Sequence, residues 1–530
     1  MKQLVLLTAF FIAGLTVKSQ SIITVSGDIT ANTTWTSNNI YLLSGFVYVT
    51  NNAELTIQPG TVIKGEKATK GSLIVTRGSK LIADGTASQP IVFTSNEPIG
   101  QRTYGDWGGL IILGNAPVND PAGEKLIEGG VDPVKGLYGG TSAGDNSGVL
   151  RYVRVEFPGI AFQPNNEING ITFGGVGSGT VVDYVMVSYS GDDSYEFFGG
   201  TVNAKHLIAY RGLDDDFDTD FGFTGKMQFI VSLRDSSVAD ISGSNGFESD
   251  NDASGTTNPP ITNCKVSNAT VIGPITGSGN TFNSNYKRGA HIRRSSKTSL
   301  YNSAIAGFPT GLLVDGANCE ANANADELQV RTTVLAGCNT PLAVASGSTF
   351  DIATWFNTAN YGNSILTLPT DLNLMAPYNY NQPDFMPITG SALLSGADFS
   401  ATVLTDPFFD VVTYRGAFGA TDWTAGWSNY GCQNSNYSVG IKEISTASPV
   451  VIYPNPVNYN TAIRFQLTAS TRLTISIYNM QGRLVWTAGD AVYVTGLNNI
   501  QLPADLLNSG IYMVAVTAES GSMNYRIIKN

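Results

Sequence analysis

The sequence predicts an all-β protein in two parts: a solenoid of short strands stacked as a parallel β-helix, then a small antiparallel, Ig-like β-sandwich. Three observations predict it. Gly supplies 58 of 530 residues, above the usual share of about 7%, while charged residues make up only 14%. The body consists of runs of three to five residues with apolar alternation, separated by Gly, Asn or Pro, too short for the strands of a broad sandwich. Strand-like runs also recur at a repeated step, as stacked coils do.

The elements follow in chain order. Met1-Lys2-Gln3 carries one positive charge, Leu4 to Val17 is almost wholly apolar, and Val17-Lys18-Ser19 brings modest side chains to a cleavage point. This is the order of a secretory signal peptide over residues 1–19. The apolar run is short for a membrane span, and no later segment reaches eighteen apolar residues. The first coils read as Gly45-Phe46-Val47-Tyr48-Val49, Ala53-Glu54-Leu55-Thr56-Ile57, Thr61-Val62-Ile63-Lys64-Gly65, Gly71-Ser72-Leu73-Ile74-Val75, Lys80-Leu81-Ile82-Ala83, Pro90-Ile91-Val92-Phe93-Thr94 and Gly109-Leu110-Ile111-Ile112-Leu113. Further on, taking Val153, Val185, Leu207 and Phe229 as equivalent positions gives steps of 32, 22 and 22. A coil of 22 residues with insertions in some turns is what a β-helix produces, because inward residues hold register while turns vary. The solenoid is expected over residues 20–431 and a polar linker over 432–448.

From Tyr453-Pro454-Asn455-Pro456 onward the strands lengthen and alternate cleanly: Thr461 to Leu467, Leu473 to Tyr478, Arg483 to Trp486, Asn499 to Leu502, Gly510 to Val516 and Tyr525 to Lys529. That pattern predicts the sandwich over residues 449–530.

The net charge of −12 argues against nucleic acid and anionic membrane as partners, and suits cations or neutral glycans. Cys264, Cys319, Cys338 and Cys432 allow two readings in an exported chain: two disulfides, with Cys319 and Cys338 the closest pair, or four buried free thiols.

The candidate site is an acidic run. Asp192, Asp193 and Glu196 are followed by Asp214, Asp215, Asp216, Asp218 and Asp220, then by Glu248, Asp250 and Asp252. Asp193 to Asp215 and Glu196 to Asp218 are both steps of 22, so these carboxylates should stack on one ridge, about 5 Å apart. Stacked carboxylates repel and raise one another's pKa unless a cation sits among them. An all-oxygen set suits Ca²⁺, which gives Asp192, Asp193, Glu196, Asp215, Asp216, Asp218, Asp220, Glu248 and Asp250 as expected ligands. The alternative is a solvated acidic face neutralised by Lys205, Arg211, Lys287 and Arg288. Tyr195, Phe217, Phe247 and Tyr286 each precede a polar residue and suggest an inward aromatic ladder. A polysaccharide lyase would need a basic residue one coil beyond the acids, where Lys287, Arg288, His291, Arg293 and Arg294 form the only basic cluster, with Lys287 and Arg288 the candidates; a hydrolase would instead use paired Asp residues as acid and base. No nucleophile elbow, phosphate loop or zinc His pair is present.

Two resemblances add to this reading. The segments Asn52 to Ile57 with Pro59 to Ile63, Gly105-Asp106-Trp107-Gly108-Gly109-Leu110, and Glu196 to Lys205 resemble the right-handed parallel β-helix repeat proteins secreted by Bacteroidetes, over roughly residues 40–430. That likeness implies the fold and little chemistry. The Tyr-Pro-Asn-Pro opening, the Ile477-Tyr478-Asn479-Met480-Gln481-Gly482 turn and Leu507-Asn508-Ser509-Gly510-Ile511-Tyr512 resemble the type A C-terminal sorting domain of the type IX secretion system. The resemblance implies recognition by that machinery, passage across the outer membrane, removal of the tail, and release or attachment to surface lipopolysaccharide. The expectation is therefore a secreted or cell-surface β-helix scaffold that contacts glycans or adheres, with a calcium-dependent polysaccharide lyase as the other possibility.

Overall fold

The computed structural model describes residues 21–163, 166–437, 450–467, 470–480, 483–518 and 521–530. The expected signal peptide and most of the expected linker lie outside the described residues. The chain divides into two compact units, the body Ser21–Asn436 and a unit containing the tail.

The body is a parallel β-helix whose 26 strands form one continuous hydrogen-bonded set. Each central coil contributes strands to three columns. The strand Asn203–Tyr210 shows how. Its first half pairs with Val181–Asp183, its second half with Val185–Ser188, and between the halves His206 takes a left-handed φ of 51° that turns the chain a corner. A short turn then leads to the third column, where Tyr195–Phe198, Phe217–Asp220, Phe247–Ser249 and Arg288–Ile292 stack in parallel register. Inward residues such as Val185, Leu207, Ile230, Val271 and Ile305 are wholly or almost wholly buried and form one core along the solenoid. Each rung buries apolar area on the rung below, at roughly 25 cal/mol per Å². This is why coils keep register while their turns differ in length.

Two equivalences read from the sequence need correction. Leu207 pairs with Ile230, not Phe229. Phe229 is the corner residue of its coil, with φ 57°. It continues a stack of Tyr152, Tyr184 and His206 whose ring centroids are 4.5, 4.2 and 5.3 Å apart along the series. The inward ladder holds for Tyr195, Phe217 and Phe247, but its next rung is Ala290, not Tyr286. Tyr286 ends the long excursion before that strand, where its hydroxyl donates to the Asp235 carbonyl at 2.6 Å and its ring lies 5.2 Å from Arg234.

Residues 367–436 show no solenoid repeat. They return from the last coils towards the first by a path that doubles back, since Tyr378 and Tyr380 donate to the carbonyls of Ile275 and Arg234 before Asp398 meets Asn302. Asp398 accepts from Asn302, Tyr414 and Gly416 from Asn268, and Asp410 from Gln228. Trp423 meets the His206 ring edge-on at 5.1 Å, and Trp427 meets Tyr152 at 5.9 Å. Arg102 finally donates to the carbonyls of Cys432 and Ser435. The expected linker therefore starts too early, since Cys432 to Asn436 belong to the body. All four cysteines are free and buried, which removes the disulfide reading. They pack separately: Cys432, for example, lies 3.6 Å from the Ser188 hydroxyl.

The tail is a two-sheet antiparallel sandwich. One sheet joins Val451–Tyr453, Ala462–Leu467 and Gly496–Gln501, and the other orders Leu484–Tyr493, Thr471–Asn479, Gly510–Ala518 and Gly521–Lys529. Ile463, Phe465, Ile475, Val514 and Ile527 fill its core.

Candidate functional site

The third column carries the acids on its outward positions. Thr172, Glu196, Asp218, Glu248 and His291 are successive register partners, so three carboxylates stack directly between a threonine and a histidine. A second series occupies the preceding turn. The Asp215 N–H donates to Asp193 Oδ1 at 2.7 Å, the Asn245 N–H to Asp215 Oδ1 at 2.5 Å, and the Arg288 N–H to Asn245 Oδ1 at 3.1 Å. Each side chain thus caps a backbone amide of the next coil, a structural duty that the 22-residue spacing alone does not disclose.

The two series converge. Carboxylate oxygens of Asp193, Glu196 and Asp218 lie within 4.8 Å of one another, as do those of Asp215, Asp218 and Glu248, and those of Asp192, Asp193 and Asp214. Asp218 joins the first two groups. Asp193, Glu196 and Asp215 are only 7, 5 and 5% exposed, and among the described residues none of them, nor Asp218, makes an ion pair. One Asp218 oxygen is buried without a hydrogen-bond partner, and so is the amide oxygen of Asn169, whose nitrogen donates to Glu196 at 2.9 Å. Two charges about 5 Å apart repel by roughly 3 kcal/mol at an effective dielectric constant of about 20. Burial first, and the neighbouring acids second, therefore push Asp193, Glu196, Asp215 and Asp218 well above the ordinary carboxylate range. Burial also raises Asp214 to about 6 and Asp220 to about 8.

The far end of the ladder is neutralised from within. Arg293 pairs with Glu248 and, at 2.7 Å, with Asp250; Arg294 also reaches Asp250 at 2.7 Å. His291 stands between Glu248, at 3.4 Å, and Asp315, at 3.0 Å. These contacts outweigh the burial of Glu248 and hold its carboxyl below the usual range.

Of the nine expected ligands, Asp192, Asp193, Glu196, Asp215, Asp218 and Glu248 are gathered into these groups, and Asp214 joins them. Asp216 does not. It sits in the bend before the strand Phe217–Asp220, outside the strand's alternation, where it is fully buried and pairs with the equally buried Arg234 at 2.6 Å. Asp250 is occupied by the two arginines, and Asp220 accepts the N–H of Phe221. Neither Lys287 nor Arg288 occupies the rung above Glu248: Lys287 Nζ donates to the Ser284 carbonyl, and the basic groups at the ladder are His291, Arg293 and Arg294. Sequence reasoning placed the base a few residues early because it aligned Tyr286, rather than Ala290, with Phe247.

Comparison with known proteins identifies the architecture. Residues 27–366 match the pectate-lyase-like β-helix domain. The chain belongs to that family. Residues 451–530 match the secretion system C-terminal sorting domain, so this β-helix carries an export tail of the type read by the type IX machinery. Among solved structures the chain is similar to the enzymatically active domain of tailspike protein 2 of bacteriophage CBA120, at 9% identity and a TM-score of 0.22, over 92% of this chain and 72% of that one. The full-length tailspike protein 2 from an Escherichia coli O157:H7 bacteriophage aligns at 7% identity and a TM-score of 0.19, over 92% and 64%. No curated protein matches the chain.

Proposed function

We propose that this is an exported β-helix scaffold whose carboxylate ladder holds Ca²⁺ and whose cation-bearing face contacts glycans outside the cell. The observation that carries the reading is the group of buried Asp193 and Glu196 with half-buried Asp218, free of ion pairs among the described residues, and including a buried Asp218 oxygen that has no hydrogen-bond partner among them. Oxygens up to 4.8 Å apart can face one another across a single ion, since Ca²⁺–oxygen distances of about 2.4 Å sum to that span. The donors are all oxygen, and Asn169 adds an amide oxygen beside them. Ca²⁺ accepts six to eight such ligands in flexible geometry, whereas thiolate- or imidazole-preferring metals find no matching donors here. A bound cation on an exported surface would bridge acidic or hydroxyl-rich glycans, and removal of the tail would leave the body released or joined to surface lipopolysaccharide.

Melting of the full chain in Ca²⁺ and in chelator tests the ion. A higher melting temperature in Ca²⁺, absent in Asp218→Asn, is expected; equal melting in both would remove the proposal.

A second reading, a calcium-dependent polysaccharide lyase, is favoured by one observation: Arg293 lies a quarter exposed at the open end of the ladder. Incubation with a panel of uronate polysaccharides, followed by ultraviolet absorbance of unsaturated products, separates the readings. Product formation lost in Arg293→Ala would establish the lyase and displace the adhesive scaffold.

A further inference from the structure

The return segment, residues 367–436, lies beyond the matched β-helix region and builds an open cavity of its own, about 450 Å³ in volume. One wall is the hairpin of Leu374–Ala376 and Asp384–Pro387, which supplies Gln382 and Asp384. The other is the turn that supplies Asp422, Ala425, Ser428 and Tyr430. The two walls are tied to each other and to the solenoid. Phe385 stacks on Phe418 at 5.6 Å, and Phe418 stacks on Trp423 at 5.2 Å. Tyr380, in the hairpin's loop, donates to the Arg234 carbonyl at 3.1 Å, and Tyr430 meets Tyr210 edge-on at 5.0 Å. The cavity is therefore preformed, and its size falls among small-molecule sites of about 300–1,000 Å³.

Its lining is one-sided in charge. Asp384 Oδ1 accepts the Met386 N–H at 3.0 Å, and Asp422 Oδ1 accepts the N–H and the hydroxyl of Thr424 at 2.9 and 2.6 Å. These bonds fix each carboxylate and leave its Oδ2 without a partner among the described residues. No Lys, Arg or His stands among the lining residues. Tyr430 is partly exposed although its hydroxyl is buried, so its ring rather than its oxygen is open to contact. Two fixed acceptors without a cation, the hydrogen-bonding groups of Gln382 and Ser428, and an open aromatic ring match a ligand with an ammonium, hydroxyls and a compact carbon ring. An anion would be repelled here, and an uncharged ligand would leave both carboxylates uncompensated.

We propose that this cavity binds an amino sugar in its ammonium form, with the ammonium set against the Asp384 and Asp422 carboxylates, hydroxyls on Gln382 and Ser428, and the sugar ring on Tyr430. The assignment uses none of the ladder acids and is independent of calcium there.

Calorimetric titration of the full chain in chelator, below the pKa of the ligand amine, tests it with glucosamine, N-acetylglucosamine, glucose and methylammonium as probes. Glucosamine should bind, and the two uncharged sugars and the ringless ammonium should each bind at least tenfold more weakly. Asp384→Asn and Asp422→Asn keep the oxygen that caps the backbone, and each should weaken glucosamine at least tenfold. Both side chains reach solvent, so these variants should melt with the parent chain. Ala425→Trp fills the cavity with both acids in place; it should also abolish binding, and it decides the matter if an Asn variant does not fold. No glucosamine binding at millimolar concentration, any other probe binding as tightly as glucosamine, or unchanged binding in Asp384→Asn and Asp422→Asn would each overturn the proposal.

Discussion

The acidic ladder and the lysines Lys205, Lys226 and Lys265 face different sides of the same coils and treat neighbouring like charge in opposite ways. Glu196, Asp218 and Glu248 stack in direct register, and Lys226 stacks on Lys265, with Lys205 one coil earlier opposite Gln228. On the lysine side, the return segment brings Asp410 and Asp406 to Lys205 and Lys226. On the acidic side, cations reach only the last rungs, through Arg293 and Arg294, and among the described residues leave Asp193, Glu196 and Asp218 without one. The difference teaches that a solenoid answers its own repeated charge only where a non-repeating segment covers it. An uncovered ladder must stay protonated or take its counter-charge from solution.

The largest expected effect tests the fully buried internal pair of the acidic run, Arg234 with Asp216. Arg234→Met leaves Asp216 buried and uncompensated, and should cost about 3–5 kcal/mol in denaturant-unfolding experiments. Asp216→Asn in the same background should recover much of that loss, whereas recovery by Asp218→Asn would show the two acids to be equivalent and break the contrast drawn above.

Next is the ion itself. Saturating Ca²⁺ at a hundred times its dissociation constant should stabilise the chain by about 2.7 kcal/mol. Asp218→Asn should reverse sign between conditions: stabilising in chelator, where it removes a repelling charge, and unresponsive to Ca²⁺.

The pH dependence follows from the raised pKa values. In the folded state Asp214 lies at about 6 and Asp220 at about 8, with Asp193, Glu196, Asp215 and Asp218 also elevated. The folded chain therefore binds more protons than the unfolded one between the ordinary carboxylate range and these values. The stabilisation is complete below about pH 4 and is lost as pH rises through about 6 and then about 8. Melting in chelator should fall across that window, and Ca²⁺ should flatten the decline; a flat profile in chelator would mean the ladder is already neutralised.

The smallest effect is expected on the covered side. Asp410→Ala removes a partner that is 61% exposed, so its pair with Lys205 should be worth no more than about 1 kcal/mol and weaken in salt.

Legibility in the sequence followed periodicity. The steps from Asp193 to Asp215 and from Glu196 to Asp218 are register pairs because inward residues hold the strands in place and carry the outward ones with them. That reading failed wherever a single residue shifted the count. Phe229 was misaligned by one because the turn between Asp220 and Lys226 is one residue longer than the turn between Phe198 and Asn203, so Leu207 meets Ile230. Asp216 was placed outside with Asp218 because alternation was counted past the start of the strand, whereas the bend before Phe217 turns it in to Arg234. Tyr286 and Lys287 were placed on a rung that belongs to Ala290 and His291, because the preceding excursion has no period to count.

By itself, then, the sequence determined the β-helix, the sandwich tail with its sorting pattern, and the existence of an acidic ridge. All of these are local or periodic properties, set by composition, alternation and spacing. Only the tertiary structure decided which acids converge, that Asp193 and Asp215 also cap the next coil, and that residues 367–436 return along the solenoid to answer Lys205 and Lys226. Those outcomes depend on contacts between segments far apart in the chain, and no repeat in the sequence encodes where an aperiodic segment will lie.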